Sequence, residues 1–143
     1  MITYSIGQVA KMLGLTAYTL RFYDKEGLLP NVRKNSAGIR RFTEEDVRWL
    51  KMMECLKATG MPLKEIRRFM EYAAQGEQTI SERLQILINQ KENIKNQIKK
   101  LKNNAKMIDF KIKYYEESIK YGESQVWNKC PDLVAEYKRL FTD

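Results

Sequence analysis

Residues Ser5–Phe42, SIGQVAKMLGLTAYTLRFYDKEGLLPNVRKNSAGIRRF, decide how the rest of the chain is read. Ser5 and Gln8 stand at capping-box spacing, and Tyr4 and Val9 at hydrophobic-staple spacing, so a helix should start at Ile6. Ile6, Val9, Ala10 and Leu13 form one apolar face at helical period. Gly14 stops that helix, because glycine takes the left-handed conformation without a Cβ clash. Thr16 then caps a second helix, Leu15 and Leu20 repeat the staple spacing, and Gly27 ends it. Two short helices around a glycine-containing turn are a helix-turn-helix pattern.

The second helix buries Leu20 and either Phe22 or Tyr23, which leaves Thr16, Tyr18, Thr19, Arg21 and Lys25 free to face outward. Hydroxyls and a phenol reach phosphate oxygens, and an arginine can fork onto guanine O6 and N7. The plain structural alternative is a solvated amphipathic helix. The residues after Gly27 favour the nucleic-acid reading. Asn31–Lys34 and Ile39–Phe42 are short extended runs around an Asn-Ser-Ala-Gly turn, which is hairpin spacing. Arg33, Lys34, Arg40 and Arg41 load its arms with positive charge, as a phosphate backbone with condensed counterions demands.

These words, Ile6-Gly7-Gln8-Val9-Ala10, Thr19–Pro30 and Gly38-Ile39-Arg40-Arg41-Phe42, resemble the N-terminal domain of the MerR family of bacterial transcription regulators. The resemblance runs from Tyr4 to Gly76. It implies a winged helix-turn-helix that binds promoter DNA as an antiparallel homodimer and remodels it for RNA polymerase. It also implies a second wing at the turn before Pro62, with Lys64 near a phosphate. The family's aromatic pair after the arginine is Phe22-Tyr23 here. Phe22 has no hydroxyl to offer DNA, so Tyr23 is the expected contact.

The composition agrees with a polyanionic partner. The 143 residues carry 26 basic and 18 acidic side chains, a net charge of +8, and only the stretch after Tyr121 is acidic on balance. No run reaches membrane-spanning length, the start is unlike a signal peptide, and two distant cysteines fit a reducing cytosol, so a cytoplasmic protein is expected. Histidine is absent, which removes the commonest general base and metal ligand. Neither a cofactor nor a metal is expected, and no nucleophile–base pair or phosphate-cradling glycine loop argues for an enzyme.

Thr43 caps a third helix whose core face is Val47, Trp49, Leu50, Met53 and Leu56, and Gly60 ends it. Pro62 suits the start of a fourth, with Leu63, Ile66, Phe69 and Met70 inward and Gly76 at its end. Both read as core support. Thr79-Ile80-Ser81-Glu82 reads as another capping box, opening the longest element. From there Ile80, Leu84, Leu87, Lys91, Ile94, Ile98, Leu101, Ala105, Ile108, Ile112, Tyr115 and Ile119 follow 4-3-4-3 spacing. That is a heptad seam on a helix roughly 60 Å long, and a lone helix would leave the seam wet. A parallel partner would set Lys91 against Lys91. An antiparallel partner centred between Lys99 and Lys100 sets it against Ile108, where its stem packs and its head reaches water. The chain thus reads as mainly α: a winged helix-turn-helix domain over 1–76, a coiled-coil dimerisation helix over 79–120 and a tail over 121–143. In the tail Glu123–Lys129 reads as a loop. Pro131 then starts a short helix whose apolar side (Leu133, Val134, Tyr137, Leu140, Phe141) should dock on the partner subunit.

Cys55 reads as a small buried filler on the residues alone. Cys130, beside Lys129 at a helix N-terminus, has the setting of a reactive thiol. By resemblance, an aldehyde- and electrophile-responsive subgroup has a lone cysteine where Cys55 lies, which makes Cys55 an effector site with Cys130 of the partner subunit as a second thiol. Two cysteines are too few for the family's iron–sulfur sensors, and Thr79 and Ser81 stand where its mercury-type members have a cysteine. The alternative to an effector-responsive regulator is an architectural or recombination-accessory DNA binder.

Overall fold

A computed structural model describes residues 2–142. It is mainly helical with a small sheet. Strand β1 (Thr3–Tyr4) precedes helices α1 (Ile6–Leu13) and α2 (Ala17–Lys25), followed by strands β2 (Arg33–Lys34) and β3 (Arg40–Thr43). Helices α3 (Glu44–Ala58) and α4 (Leu63–Ala74) lead through a 3-10 turn at Glu77–Thr79 into α5 (Ile80–Tyr121). Two short helices, α6 (Val126–Lys129) and α7 (Pro131–Phe141), complete the chain. The chain divides into two compact units, residues 1–92 and 93–143.

In the first unit the capping signals act as local chemistry predicts. Ser5 Oγ accepts the Gln8 N–H while Gln8 Oε1 accepts the Ser5 N–H. Gly14 follows at φ +67°, where any side chain is strained, and turns the chain between α1 and α2. Thr43 and Asp46 form a second reciprocal box at the start of α3. Val9, Leu20, Leu28, Phe42, Leu50 and Ile66 are fully buried in one core with Val47, Met53, Phe69 and Met70. Each contributes about 1.5–3 kcal/mol before entropy.

Three features differ from the sequence expectations here. The hairpin is a three-stranded antiparallel sheet in the order β1-β3-β2, because Thr3 and Tyr4 pair with Thr43 and Phe42; two residues are too few for a strand pattern to show. Thr79 does not cap α5 in a box with Glu82. It is buried, and its hydroxyl lies against the carbonyls of Tyr72 and Gly76, so it closes the end of α4 instead. Third, the first turns of α5 belong to this core: Ile86 is buried in it, and Leu87, read as seam, packs against it. That is why the first unit extends past Gly76 to residue 92.

In the second unit Phe110 of α5 is buried with Val126 and Leu133, and Tyr114, Cys130 and Leu140 pack around them. Trp127, Tyr137 and Phe141 add rings at 5.1–6.5 Å from one another and from Phe110. The expected loop over 123–129 contains α6, and the side of α7 bearing Leu133 and Leu140 packs on the chain's own α5. A partner is not needed to cover that part of it. A single large aromatic at 110, off the heptad seam, supplies the seat.

Candidate nucleic-acid interface

Helix α2 is held at both ends and along one side, which leaves one face outward. At its start Thr16 Oγ1 accepts the Thr19 N–H at 3.1 Å, and the two hydroxyls sit 2.9 Å apart. At its end Arg67 of α4 donates through Nε to the Glu26 carbonyl at 2.6 Å and through Nη2 to the Glu26 carboxylate at 3.3 Å. Asp24 is tied to the sheet by Arg40, whose Nε lies 2.5 Å from Oδ2. Between these ties Tyr18 stands 77% exposed, with Arg21 exposed beside it.

Tyr23 is the correction. It was expected to face DNA, but it is 1% exposed, whereas Phe22 is 41% exposed. Its hydroxyl donates to Glu54 Oε1 at 2.6 Å and accepts from Lys57 Nζ at 2.9 Å. Lys57 also sits 5.3 Å above the ring centre, a cation–π arrangement. Burial, with help from the Glu54 hydrogen bond, pushes the Tyr23 phenol up, and the bond to Tyr23 raises the Lys57 ammonium. The side of a nine-residue helix that turns inward depends on where α3 stands. Adjacent aromatics carry no such information.

The sheet concentrates charge in a way that folding alone does not favour. Arg33 lies directly across from Arg41, and Lys34 across from Arg40. Directly opposed like charges destabilise a strand pair. Internal partners relieve only one side: Arg40 has Asp24, and Arg41 donates to Thr3 Oγ1 at 3.0–3.1 Å and to the Thr3 carbonyl at 3.2 Å. Arg33 and Lys34 remain exposed. Phosphates laid along this ribbon would neutralise them. Arg48 on α3 joins Arg33 and Arg41 around an open groove that also holds Glu44 and Glu45. Arg48 carries no sequence signal of its own, because it falls on the polar side of an ordinary amphipathic helix. Lys64 is exposed in the first turn of α4, two residues after the Pro62 cap.

The two cysteines depart from their sequence readings. Cys55 is exposed on α3, so it is not a filler of this chain's core. The Cys130 thiol is raised, contrary to the expectation from Lys129 and the helix terminus. Partial burial is the main cause, and Glu117, whose Oε2 accepts from Sγ at 3.6 Å, adds to it. No helix among the described residues is long and apolar enough to cross a membrane.

Comparisons with known proteins point to one family. Residues 4–73 match the model of the MerR HTH family regulatory proteins, and residues 47–109 match that of the MerR DNA-binding region. An uncharacterised HTH-type transcriptional regulator of Haemophilus influenzae is 53% identical over 94 residues, covering 66% of this chain and 70% of that one. The HTH-type transcriptional regulator AdhR of Bacillus subtilis is 34% identical over 63% of this chain and 64% of its own. Among solved structures, HiNmlR, a MerR family regulator lacking the sensor domain and bound to promoter DNA, superposes with a TM-score of 0.67. It shares 47% identity over 85% of this chain and 96% of its own. With its exposed α2 face, its cationic ribbon and these likenesses, the chain belongs to the MerR family of helix-turn-helix, DNA-binding transcription regulators.

Proposed function

We propose that this regulator works as an antiparallel homodimer on promoter DNA and that an electrophile or oxidant acting on Cys55 switches its output. The observation that carries the dimer is the row of large apolar residues left exposed along α5: Ile98, Leu101, Ile108, Ile112, Tyr115 and Ile119, the last 87% exposed. Ile80, Leu84, Ile94 and Lys91 extend the same spacing toward the start of the helix. Covering such a stripe with a second copy removes it from water, and two-fold symmetry then presents two reading heads to two half-sites. Residues 1–76 form the reading head in this account, 79–120 the dimerisation helix and 121–143 the tail.

On each head Tyr18 and Arg21 enter the groove, Thr16 and Thr19 flank the phosphates, and Arg33, Lys34, Arg40, Arg41 and Lys64 follow the backbone. Their cationic contacts offset the cost of bending the duplex, which is several kcal/mol. The bent promoter is what RNA polymerase would engage. HiNmlR was captured on promoter DNA, which supports the same target here. Exposure on α3 makes Cys55 available to an electrophile. Cys130 of the partner subunit is the weaker candidate, since its thiol is raised.

Sedimentation of the purified chain tests the dimer, and a monomer at working concentrations removes it. Promoter output from a Cys55→Ser strain challenged with aldehydes, quinones and oxidants tests the switch; an undiminished response removes Cys55. Footprinting separates a regulator, with one site between promoter elements, from an architectural protein with several phased sites.

A further inference from the structure

Helix α5 meets the reading head through one short stripe, Arg83, Ile86, Leu87 and Gln90, spaced i, i+3, i+4 and i+7. The two middle residues are apolar and pack on the core. Apolar contact is non-directional, so it holds the helix down without fixing its rotation or its register. The two ends of the stripe are different. Arg83 donates through Nη2 to the Gly76 carbonyl at 2.8 Å and stacks 5.8 Å over the Trp49 ring. Two turns later Gln90 is only 6% exposed, and its Nε2 donates to both the Thr59 carbonyl and Thr59 Oγ1 at 3.1 Å.

A buried amide is a costly choice where a leucine would serve, unless its direction matters. Its acceptor is well placed to matter. Thr59 caps the end of α3, and its N–H bonds back to the carbonyl of Cys55 at 3.2 Å. Gly60, at φ +84°, then turns the chain through Met61 and Pro62 into the helix that bears Lys64. One side chain of α5 therefore grips the turn that ends the Cys55 helix and precedes Lys64, the lysine proposed to meet a phosphate.

We infer that Gln90 is a positioning residue for DNA recognition: with Arg83 it forms a two-point clamp that sets the angle at which α5 leaves the reading head. The two heads of a dimer are then presented at one separation, and half-site spacing on the DNA is read through this amide. The inference rests on the homodimer proposed above.

The test uses the full chain and a duplex selected by the wild-type protein from a random pool, remade with its half-sites one base pair closer and one farther. Gln90→Met keeps length and helix propensity but removes the donor; Gln90→Lys keeps a donor. Wild type should discriminate against the altered spacings. Gln90→Met, which removes both bonds to Thr59, should narrow that discrimination by at least about fivefold, and Gln90→Lys should restore most of it. Thr59→Ala, which removes one of the two acceptors, should narrow it less and serves if Gln90→Met does not fold. An unchanged spacing profile overturns the inference. So does an equal loss at every spacing, which would make Gln90 merely structural. Absence of any spacing preference in wild type would instead sink the dimer on which the inference stands.

Discussion

The unit over residues 1–92 and the unit over 93–143 use apolar surface in opposite ways. In the first, helices α1 to α4, the sheet and the opening turns of α5 enclose a shared core, and most motif residues are tied to a neighbour. In the second, the described apolar core is a cluster around Phe110, Val126 and Leu133, while the seam of α5 stays exposed. The difference teaches where self-sufficiency ends. A reading head must hold its shape before it meets DNA, whereas a surface that pairs with its own copy, as proposed for this seam, would stay open until it does.

The largest effect expected is on the open seam. In the proposed antiparallel pairing Ile98 of one chain would face Leu101 of its partner. The double substitution Ile98→Glu, Leu101→Glu therefore gathers four carboxylates at the two-fold axis. Dimer and operator binding should both be lost, by more than about 100-fold in a gel-shift titration, while circular dichroism shows the head still folded. A dimer that survives would break the comparison. Next in size is the closed core: Leu20→Ala should cost about 3–4 kcal/mol and lower Tm by more than about 10 °C, without changing the oligomeric state.

Tyr23→Phe should cost roughly 1–2 kcal/mol, because Glu54 and Lys57 lose a shared partner. The pH dependence sharpens this. The folded phenol is raised above 10.0, so the folded state keeps a proton that the unfolded chain releases. Its contribution is complete below about pH 10 and is lost as pH rises through the folded value. Wild type should therefore lose stability more steeply than Tyr23→Phe in alkaline denaturation. Parallel curves would mean the hydroxyl is not held as described.

Smaller still, Arg33→Ala should reduce the slope of log affinity against log salt by about one and weaken all sequences alike, while Arg21→Ala should also relax base preference. The smallest effect separates the thiols. At neutral pH iodoacetamide should label exposed Cys55 several-fold faster than Cys130, whose thiol is half-buried and raised. The reverse order would invert the assignment.

Legibility along the chain tracks the range of the interaction involved. The Ser5 box, the Thr43 cap, the Gly14 turn, the core faces of α3 and α4 and the length of α5 were all readable, because each depends on residues within about a turn of one another. The cationic arms of the hairpin were readable as composition, but their register, Arg33 on Arg41 and Lys34 on Arg40, was not. Strand β1 was invisible at two residues. Tyr23 was misjudged because its burial is decided by Glu54 and Lys57, more than thirty positions away. Cys130 was misjudged for a similar reason: partial burial first, and then Glu117 thirteen positions away, raise its thiol.

From the amino acids alone came the helix-turn-helix, the basic wing and the continuous heptad stripe, all products of short-range periodicity, capping and charge. Only the tertiary structure decided which aromatic of α2 turns inward, that the tail helix seats on Phe110 of its own chain, and that Gln90 reaches the end of α3. Those outcomes are set by packing and directional hydrogen bonds between segments distant in sequence, and no local pattern encodes which distant group will be there to meet them.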